Sequence, residues 1–322
     1  KLCKTKYVVA LNSGTDALTF ALHLSGVKKG DEVITPPNSF IASTAVILHL
    51  GAKPVFVDVL NNQNIDPKKI LKAITKKTKA IMPVHLTGKS CNMDDIIKIS
   101  KKFNIPIIED SAQAIGTKFK NKYVGTFGEL GCFSAHPLKN LNAIGDAGYL
   151  VTNSKKYYQK AILLRNHGMK DRNTIKFFGH VSRMDNFQAS ILNLRIKSLN
   201  KVVKKRRENA TLYKKLLKGI SQVKLPKDGK EYYSTYHTFL IQAKNRNKLK
   251  KFLEKKNIST GIHYPYLIHK LKFIKKHNSS KYRLPNVEKM VKEILTLPIN
   301  QYMRVKEIEY ISKMIRVFYK LK

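Results

Sequence analysis

Acidic residues and cysteines are both scarce in this chain of 322 residues. It has 21 Asp and Glu against 62 Lys and Arg, which gives a formal charge of +41. Its three cysteines, Cys3, Cys91 and Cys132, are widely separated, odd in number and without metal-ligand spacing. Such usage is typical of a reducing compartment rather than of a disulfide-bonded secreted protein. We therefore expect a cytoplasmic protein without a metal site.

Long apolar runs are also missing. No stretch of 18 apolar residues occurs, so the sequence predicts no membrane-spanning helix and no membrane partner. The apolar fraction of 43% is nevertheless sufficient for a folded core. A length near 300 residues is typical of two domains or of one large α/β domain.

A strong positive charge is typical of nucleic-acid-binding proteins, and this class must be considered. Ten of the 62 basic residues are Arg, so 62 − 10 = 52 are Lys, and they are spread from Lys1 to Lys322. Arg is the side chain favoured for phosphate and base recognition, and stacking aromatics usually alternate with the basic residues. Neither pattern is present, so we interpret the charge as a solvated, lysine-biased surface and expect no nucleic-acid partner.

Short apolar runs alternate with helical patterns over the first two hundred residues. The predicted strands lie at residues 8–11, 33–34, 55–57, 80–84 and 105–108. The predicted helices lie at 15–24, 39–50, 93–103 and after Asp66, which is placed as an N-cap before Pro67. This alternation predicts a mostly parallel sheet with helices on both faces, and ligands bind such sheets beyond the carboxyl ends of the strands.

A long helical stretch follows at about residues 185–217. Beyond it, the strand pattern at 239–241, the helical pattern around Leu249 and the terminal helix around Ile311 indicate a smaller α/β unit. We therefore predict a large domain at residues 1–199 and a small C-terminal domain at 200–322.

Residues 13–16 read Ser-Gly-Thr-Asp at the predicted junction between a strand and a helix. Free backbone N–H groups and the helix dipole make such a junction suitable for a phosphate, and glycine permits close approach. An ordinary helix N-cap has the same appearance, so this feature alone does not establish a site.

Two acids, Glu109 and Asp110, follow the predicted buried strand at 105–108. One of them could cap the segment that begins at Ser111. The other would then be free to meet a cation or a protonated ring nitrogen.

Lys139 lies in a loop between a predicted strand end at residues 131–134 and the glycines Gly145 and Gly148. A lysine desolvated at such a position has a lowered pKa and can form a Schiff base. Phe40 opens a predicted helix, where an aromatic is either core or a stacking platform. A phosphate cradle, an acid, a lysine and an aromatic ring together form the set that a pyridoxal-phosphate enzyme needs.

Several ordered motifs carry a family resemblance over essentially the whole chain. They are residues 12–18, 109–113, 133–140, 164–168, 182–185, 260–265 and 295–298. In these motifs the sequence resembles the sugar aminotransferases of the DegT/DnrJ/EryC1/StrS family, which are fold-type I pyridoxal-phosphate enzymes. The resemblance implies a large domain with a mostly parallel sheet flanked by helices, and a smaller C-terminal α/β domain.

The resemblance also implies roles for individual residues. Lys139 would form the Schiff base with pyridoxal 5'-phosphate and shuttle the proton, and Asp110 would pair with the pyridine nitrogen. Gln113 would lie near the phenolic oxygen, and Phe40 would stack on the ring. The implied phosphate contacts are Gly14, Thr15, Asp16 and Ser134.

The activity implied is transfer of an amino group from an amino acid, usually L-glutamate in this family, to a nucleotide-linked keto-sugar. The product would be an amino sugar for surface polysaccharide or a related glycoside, made by a homodimer with active sites at the subunit interface. A dehydratase of the same family is the alternative enzyme, but those relatives lack the Schiff-base lysine. A nucleic-acid-binding protein, or a regulatory or structural protein that keeps the fold without turnover, is the alternative from another class.

The chain departs from the family pattern at Val181, where members commonly carry an Asn that reaches the neighbouring subunit's cofactor phosphate. His180, Ser182 and Arg183 remain as alternative phosphate contacts. Relatives have further residues before the strand at Val8, and we expect such a segment to shape the active site. We expect structural hydrogen bonds, rather than catalytic roles, for the remaining polar residues His85, Arg165, His167 and His263.

Overall fold

The computed structural model describes residues 2–277 and 282–321 as alternating strands and helices. The strands are β1 (Tyr7–Leu11), β2 (Glu32–Thr35), β3 (Lys53–Phe56), β4 (Thr78–Ile81), β5 (Ile108–Asp110), β6 (Lys118–Phe119), β7 (Lys122–Tyr123), β8 (Leu130–Ser134), β9 (Gly148–Thr152), β10 (Met169–Asp171), β11 (Thr174–Ile175), β12 (Val223–Lys224), β13 (Tyr232–Tyr233), β14 (Phe239–Ala243) and β15 (Ile294–Leu297). The α-helices are α1 (Gly14–Leu24), α2 (Ala42–His49), α3 (Pro67–Ala73), α4 (Met93–Phe103), α5 (Lys155–Leu164), α6 (Asn186–Arg195), α7 (Leu199–Leu216), α8 (Arg246–Glu254), α9 (Lys272–His277), α10 (Pro285–Glu293) and α11 (Val305–Phe318). None of the described helices has both the length and the apolar character needed to cross a bilayer.

Seven strands form the central sheet in the order β1, β9, β8, β5, β4, β2, β3. Parallel bridges join β5 to the β4 segment, where the Asp110 N–H donates to the Pro83 carbonyl over 2.9 Å. Within this sheet β9 runs antiparallel to its neighbours and the other strands run parallel to one another. The mostly parallel sheet is thus confirmed. Because β5 and β8 run side by side, the residues that follow them meet at one edge.

Both faces of the sheet are covered, because successive side chains of a strand point to opposite sides. Ala80 and Ile108 pack in a cluster with α1, α2 and α5, whereas their neighbours Ile81 and Ile107 pack in a second cluster with α3 and α4. The sheet therefore lies between two helical layers. This layering leaves the carboxyl ends of the strands as the edge available for a ligand.

A second core lies in the C-terminal part, where β14 runs between β12 and β15. The helices α7, α8 and α11 pack on this small antiparallel sheet. Along α7 the packing changes: Val203 belongs to the cluster of Phe133 and Val151, whereas Tyr213 stacks on Phe239. The predicted long helix is present as α6 and α7 joined by a 3-10 turn at Ile196–Ser198. The domain boundary at residues 199/200 stays a prediction.

Two predicted elements begin later than the sequence pattern indicates. Helix α2 starts at Ala42 rather than at Ser39, because the Asn38 side chain donates to the Gln63 carbonyl and holds the preceding segment outside the helix. Strand β5 spans Ile108–Asp110 rather than residues 105–108. The two acids are therefore part of the strand rather than of the loop after it.

Glu109 is a fully buried anchor for a loop rather than a group facing the site. Its two carboxylate oxygens accept hydrogen bonds from the N–H groups of Gly125, Phe127 and Gly128 over 2.6–2.7 Å. The His85 ring nitrogen Nε2 lies 2.9 Å from the same carboxylate. These contacts fix the turn that precedes β8, and with it the position of the loop that follows β8.

We expect Glu109→Ala to destabilise the fold by about 3–5 kcal/mol, because it leaves three loop N–H groups and His85 without their buried acceptor. Urea unfolding followed by circular dichroism measures the change in the free energy of unfolding. The control is Glu231→Ala, which removes a half-exposed carboxylate from a surface ion pair with Lys120. Equal stability of the two variants would contradict the anchoring role.

Candidate active site

The junction between β1 and α1 forms a cradle suited to an anion. Ser13 caps the helix, since its Oγ accepts the N–H of Asp16 over 3.0 Å. The N–H groups of Gly14 and Thr15 open the helix and have no acceptor within its first turn. A Cβ placed on Gly14 would lie 2.7 Å from the Cβ of Ser134. The helix start and the end of β8 are therefore in direct contact, and glycine is required there.

Asp110 lies at the end of β5 with only 5% of its surface exposed. Its Oδ2 accepts the Ser43 hydroxyl over 2.7 Å, and its Oδ1 accepts the N–H of Ala112 over 3.1 Å. Burial raises the pKa of Asp110, while these hydrogen bonds and the positive charge of Lys139 act against the rise. The sequence analysis assigned the cap of the next segment to one acid and the contact with a cation to the other. In the structure Asp110 has both roles.

Lys139 lies close enough to Asp110 for their charges to interact. Burial lowers the pKa of Lys139, and the negative charge of Asp110 partly restores it. The loop is held in place because the Lys139 N–H donates to the His136 carbonyl and the Asn140 amide donates to the Thr235 carbonyl. A lowered pKa increases the neutral amine fraction, which is the nucleophilic and basic form.

Gln113 joins the aromatic part of the site to the sheet edge. Its Oε1 accepts the Thr87 N–H over 2.8 Å, and its Nε2 donates to the Tyr264 hydroxyl over 3.0 Å. The Tyr264 ring lies 5.8 Å from the Phe40 ring, and Phe40 is 52% exposed. An exposed aromatic held against a second ring offers a face on which a flat ligand can stack.

Several of these residues were missed in the sequence. Ser43 has a local signal, since it lies three residues after Phe40 and so returns to the same side of the chain. Tyr264 lies inside the motif at 260–265, but nothing in that motif shows its contact with Gln113. His237 has no such signal; burial, followed by the charge of Lys139, lowers its pKa well below the ordinary value.

The remaining polar residues of the motifs make structural contacts. His85 binds Glu109 and accepts the N–H of Cys91 over 3.1 Å. Arg165 donates to the Ala10 carbonyl over 2.7 Å, and His263 Nδ1 lies 2.9 Å from the Thr296 hydroxyl. The expected hydrogen bonds are present for these three residues, and their non-catalytic roles stay a prediction. His167 has an exposed side chain and donates its backbone N–H to the His180 carbonyl.

No group of three or more His, Cys, Asp or Glu side chains that could hold a metal ion occurs in residues 2–277 and 282–321. The thiols of Cys3, Cys91 and Cys132 are free.

The sequence and the fold both match known aminotransferases. The model of the DegT/DnrJ/EryC1/StrS aminotransferase family matches residues 1–316. A pleiotropic regulatory protein of Geobacillus stearothermophilus is 37% identical over 320 residues, which cover 98% of this chain and 86% of the relative. The dTDP-3-amino-3,6-dideoxy-alpha-D-galactopyranose transaminase of Aneurinibacillus thermoaerophilus is 38% identical over 308 residues, covering 95% of this chain and 84% of the relative.

Solved structures agree with this match. The structure of S. venezuelae DesV in complex with a ketimine intermediate superposes with a TM-score of 0.96 at 31% identity, covering 100% of this chain and 87% of DesV. Other similar structures contain the cofactor in its pyridoxal or pyridoxamine phosphate form.

We expect Asp110→Asn to lower the pKa of Lys139 further in the cofactor-free protein, because the substitution removes the negative charge that raises it. Competitive acylation across a pH series, with mass spectrometry of the Lys139 peptide, measures the midpoint. The control is Asp171→Asn, an exposed acid on β10. A midpoint that stays the same or rises in Asp110→Asn would show that the two charges do not interact.

Proposed function

The chain belongs to the DegT/DnrJ/EryC1/StrS aminotransferase family, and from this premise we propose that it transfers an amino group from L-glutamate to a nucleotide-linked keto-sugar. As a family member it is an aminotransferase that depends on pyridoxal phosphate. The observation that carries the proposal is Lys139 beside the buried Asp110, at the sheet edge that also holds the contact between Gly14 and Ser134.

The residues at this edge fit pyridoxal phosphate. The N–H groups of Gly14 and Thr15, with the Ser134 hydroxyl, would hold the phosphate at the start of α1. Asp110 would hold the protonated ring nitrogen, and Phe40 would cover one face of the ring. The N–H of Asp16 donates to the Ser13 cap and is therefore not free for the phosphate. A contact through the Asp16 side chain stays a prediction.

When bound, the cofactor supplies a carbonyl that takes up the amino group and a ring that accepts electrons. Lys139 would act as base and acid: in the first half-reaction its Nζ would take a proton from the substrate carbon that carries the amino group and pass a proton to the cofactor, and in the second half-reaction it would move a proton in the opposite direction, to the carbon of the acceptor sugar. Burial raises the pKa of Asp110, and the Ser43 hydroxyl and the Ala112 N–H oppose this rise because they donate hydrogen bonds to the charged form. Gln113, oriented by Thr87 and Tyr264, would lie near the phenolic oxygen.

A homodimer that completes the site is part of this proposal. The Ile144 N–H donates to the Gln188 side chain over 3.0 Å, which places α6 beside the Lys139 loop. Large apolar side chains are exposed on the loop after β8, on the segment between β11 and α6, and on α6 itself, namely Leu138, Ile144, Phe178, Val181, Phe187 and Leu194. Exposed large apolar side chains of this kind are typical of a surface that another protein covers. We place the reaction in the cytoplasm, where free thiols are stable, and the positive surface would help attract an anionic nucleotide-sugar.

Lys139→Ala tests the enzymatic proposal. The wild-type protein should bind pyridoxal phosphate with a visible absorption band that disappears on addition of L-glutamate. The variant should lack this response and lose transamination by a factor on the order of 10²–10⁴, because its base is gone. Lys122→Ala removes an exposed lysine on β7 and is the matched control. A wild-type band that ignores amino donors would reject the aminotransferase assignment.

Val181→Asn tests the departure from the family pattern. Ser182 is buried and its hydroxyl contacts Asn12, so it is engaged within its own subunit, whereas Val181 is 53% exposed. An added amide that reaches the partner's phosphate should lower the Kd of pyridoxal phosphate roughly tenfold, since a hydrogen bond to a charged group is strong. Equilibrium dialysis measures the Kd, and Val181→Leu is the control without a donor. Equal Kd values for both variants would place residue 181 away from the phosphate.

A further inference from the structure

A large cavity lies beside the candidate active site. It has a volume of about 990 Å³ and is bounded by the loop after β3, the turn after β4 and the C-terminal unit. Its wall includes Gln63, Thr87 and Lys89 on one side and Lys214, Tyr236 and Thr238 on the other, and neither Lys139 nor Asp110 belongs to it. A volume of this size is in the range of small-molecule binding sites.

The charge of the cavity wall is strongly unbalanced. It carries a single acid, Asp228, and five lysines, so the formal excess is 5 − 1 = 4 positive charges; the lysines are Lys89, Lys214, Lys218, Lys224 and Lys227. Two of the lysines are largely shielded from water, with 11% of the Lys89 side chain and 27% of the Lys214 side chain exposed. Shielded charges interact more strongly with a ligand than solvated ones do.

The two shielded ammonium groups share one carboxylate. Lys214 Nζ lies 3.0 Å from Asp228 Oδ2, and Lys89 Nζ lies 3.8 Å from Oδ1. The hydroxyls of Ser234 and Tyr236 also donate to this carboxylate. Burial lowers the pKa of Lys89; the charge of Asp228 opposes the shift and that of Lys214 adds to it. Asp228 therefore supplies one negative charge against two ammonium groups, which leaves the cluster with a net positive charge.

The positive charge of this pair is only partly compensated. Lys89 Nζ also donates to the Lys227 carbonyl, and Lys214 Nζ donates to the Tyr236 hydroxyl over 2.6 Å, but these neutral acceptors leave two ammonium charges against one carboxylate. A net positive charge in a partly shielded wall favours a ligand that carries negative charge. Lysine binds phosphate groups as a compact point charge.

We propose that this cavity is a second ligand site, which binds a small diphosphate-bearing molecule through Lys89 and Lys214. The inference does not depend on the proposed transamination, because none of the catalytic residues lines the cavity. One link between the two sites is Thr87, which lies in the cavity wall and donates its N–H to Gln113.

Titration calorimetry with inorganic pyrophosphate on the protein loaded with pyridoxal phosphate tests the site at a constant ionic strength of about 0.15 M. The wild-type protein should bind saturably, and Lys89→Met and Lys214→Met should each raise the Kd about tenfold. The matched control is Lys201→Met, an exposed lysine on the same helix as Lys214. Absence of saturable binding, or an equal effect of all three substitutions, would overturn the proposal in favour of unspecific attraction to a basic surface.

Asp228→Asn separates a binding role from a structural one. If the cluster only stabilises the fold, loss of the carboxylate leaves pyrophosphate affinity unchanged or weaker. If it is an anion site, the affinity should increase about tenfold, because the competing negative charge is gone. Acylation of the protein followed by mass spectrometry locates the ion: pyrophosphate should protect Lys89 and Lys214 and leave Lys201 reactive. Protection at other lysines alone would place the ion elsewhere and contradict the assignment.

Discussion

The buried carboxylate of Asp110 is the charge on which the arrangement of the site depends. A carboxylate removed from water must be compensated by donors or by positive charge. Here the Ser43 hydroxyl supplies one donor, the Ala112 N–H supplies another, and Lys139 supplies the charge. Each compensating group comes from a different element. The need to compensate the Asp110 carboxylate therefore fixes α2, the segment after β5 and the loop after β8 relative to one another.

Because side chains alternate along a β-strand, two neighbouring acids have different roles: one stabilises the fold and the other faces the site. Glu109 and Asp110 point to opposite faces of β5 because successive side chains do so. Glu109 therefore reaches the N–H groups of the 125–128 loop and His85, while Asp110 reaches the edge where Lys139 lies. The pair also explains why the short strand extends to Asp110. If this acid lay in the following loop, the strand would not fix the direction of its side chain.

The sequence predicted what depends on neighbours along the chain and missed what depends on contacts across the fold. The start of α1, predicted at residue 15 and found at Gly14, and the Asp66 cap of α3 have local signals, because caps and strand ends depend on neighbouring residues. The bond from Ser43 to Asp110 spans 67 positions, and that from Gln113 to Tyr264 spans 151. Such pairs have no periodicity to reveal them. The start of α2 was misplaced for the same reason, since its limit is a bond from Asn38 to the distant Gln63.

The scarcity of acids gives the buried carboxylates a greater effect than they would have in a balanced chain. With 21 acidic residues against 62 basic ones, most lysines have no carboxylate to pair with and remain in solvent. The lysines that are shielded from water lie near one of the few acids that are fully or partly buried. Lys139 lies near Asp110, and Lys89 and Lys214 lie near Asp228. At Asp110 the ratio is one to one, which leaves a lysine with a lowered pKa and a nearly neutral pair. At Asp228 it is two to one, which leaves a positive charge for a ligand to neutralise, and the same compositional bias thus produces a base at one site and an anion receptor at the other.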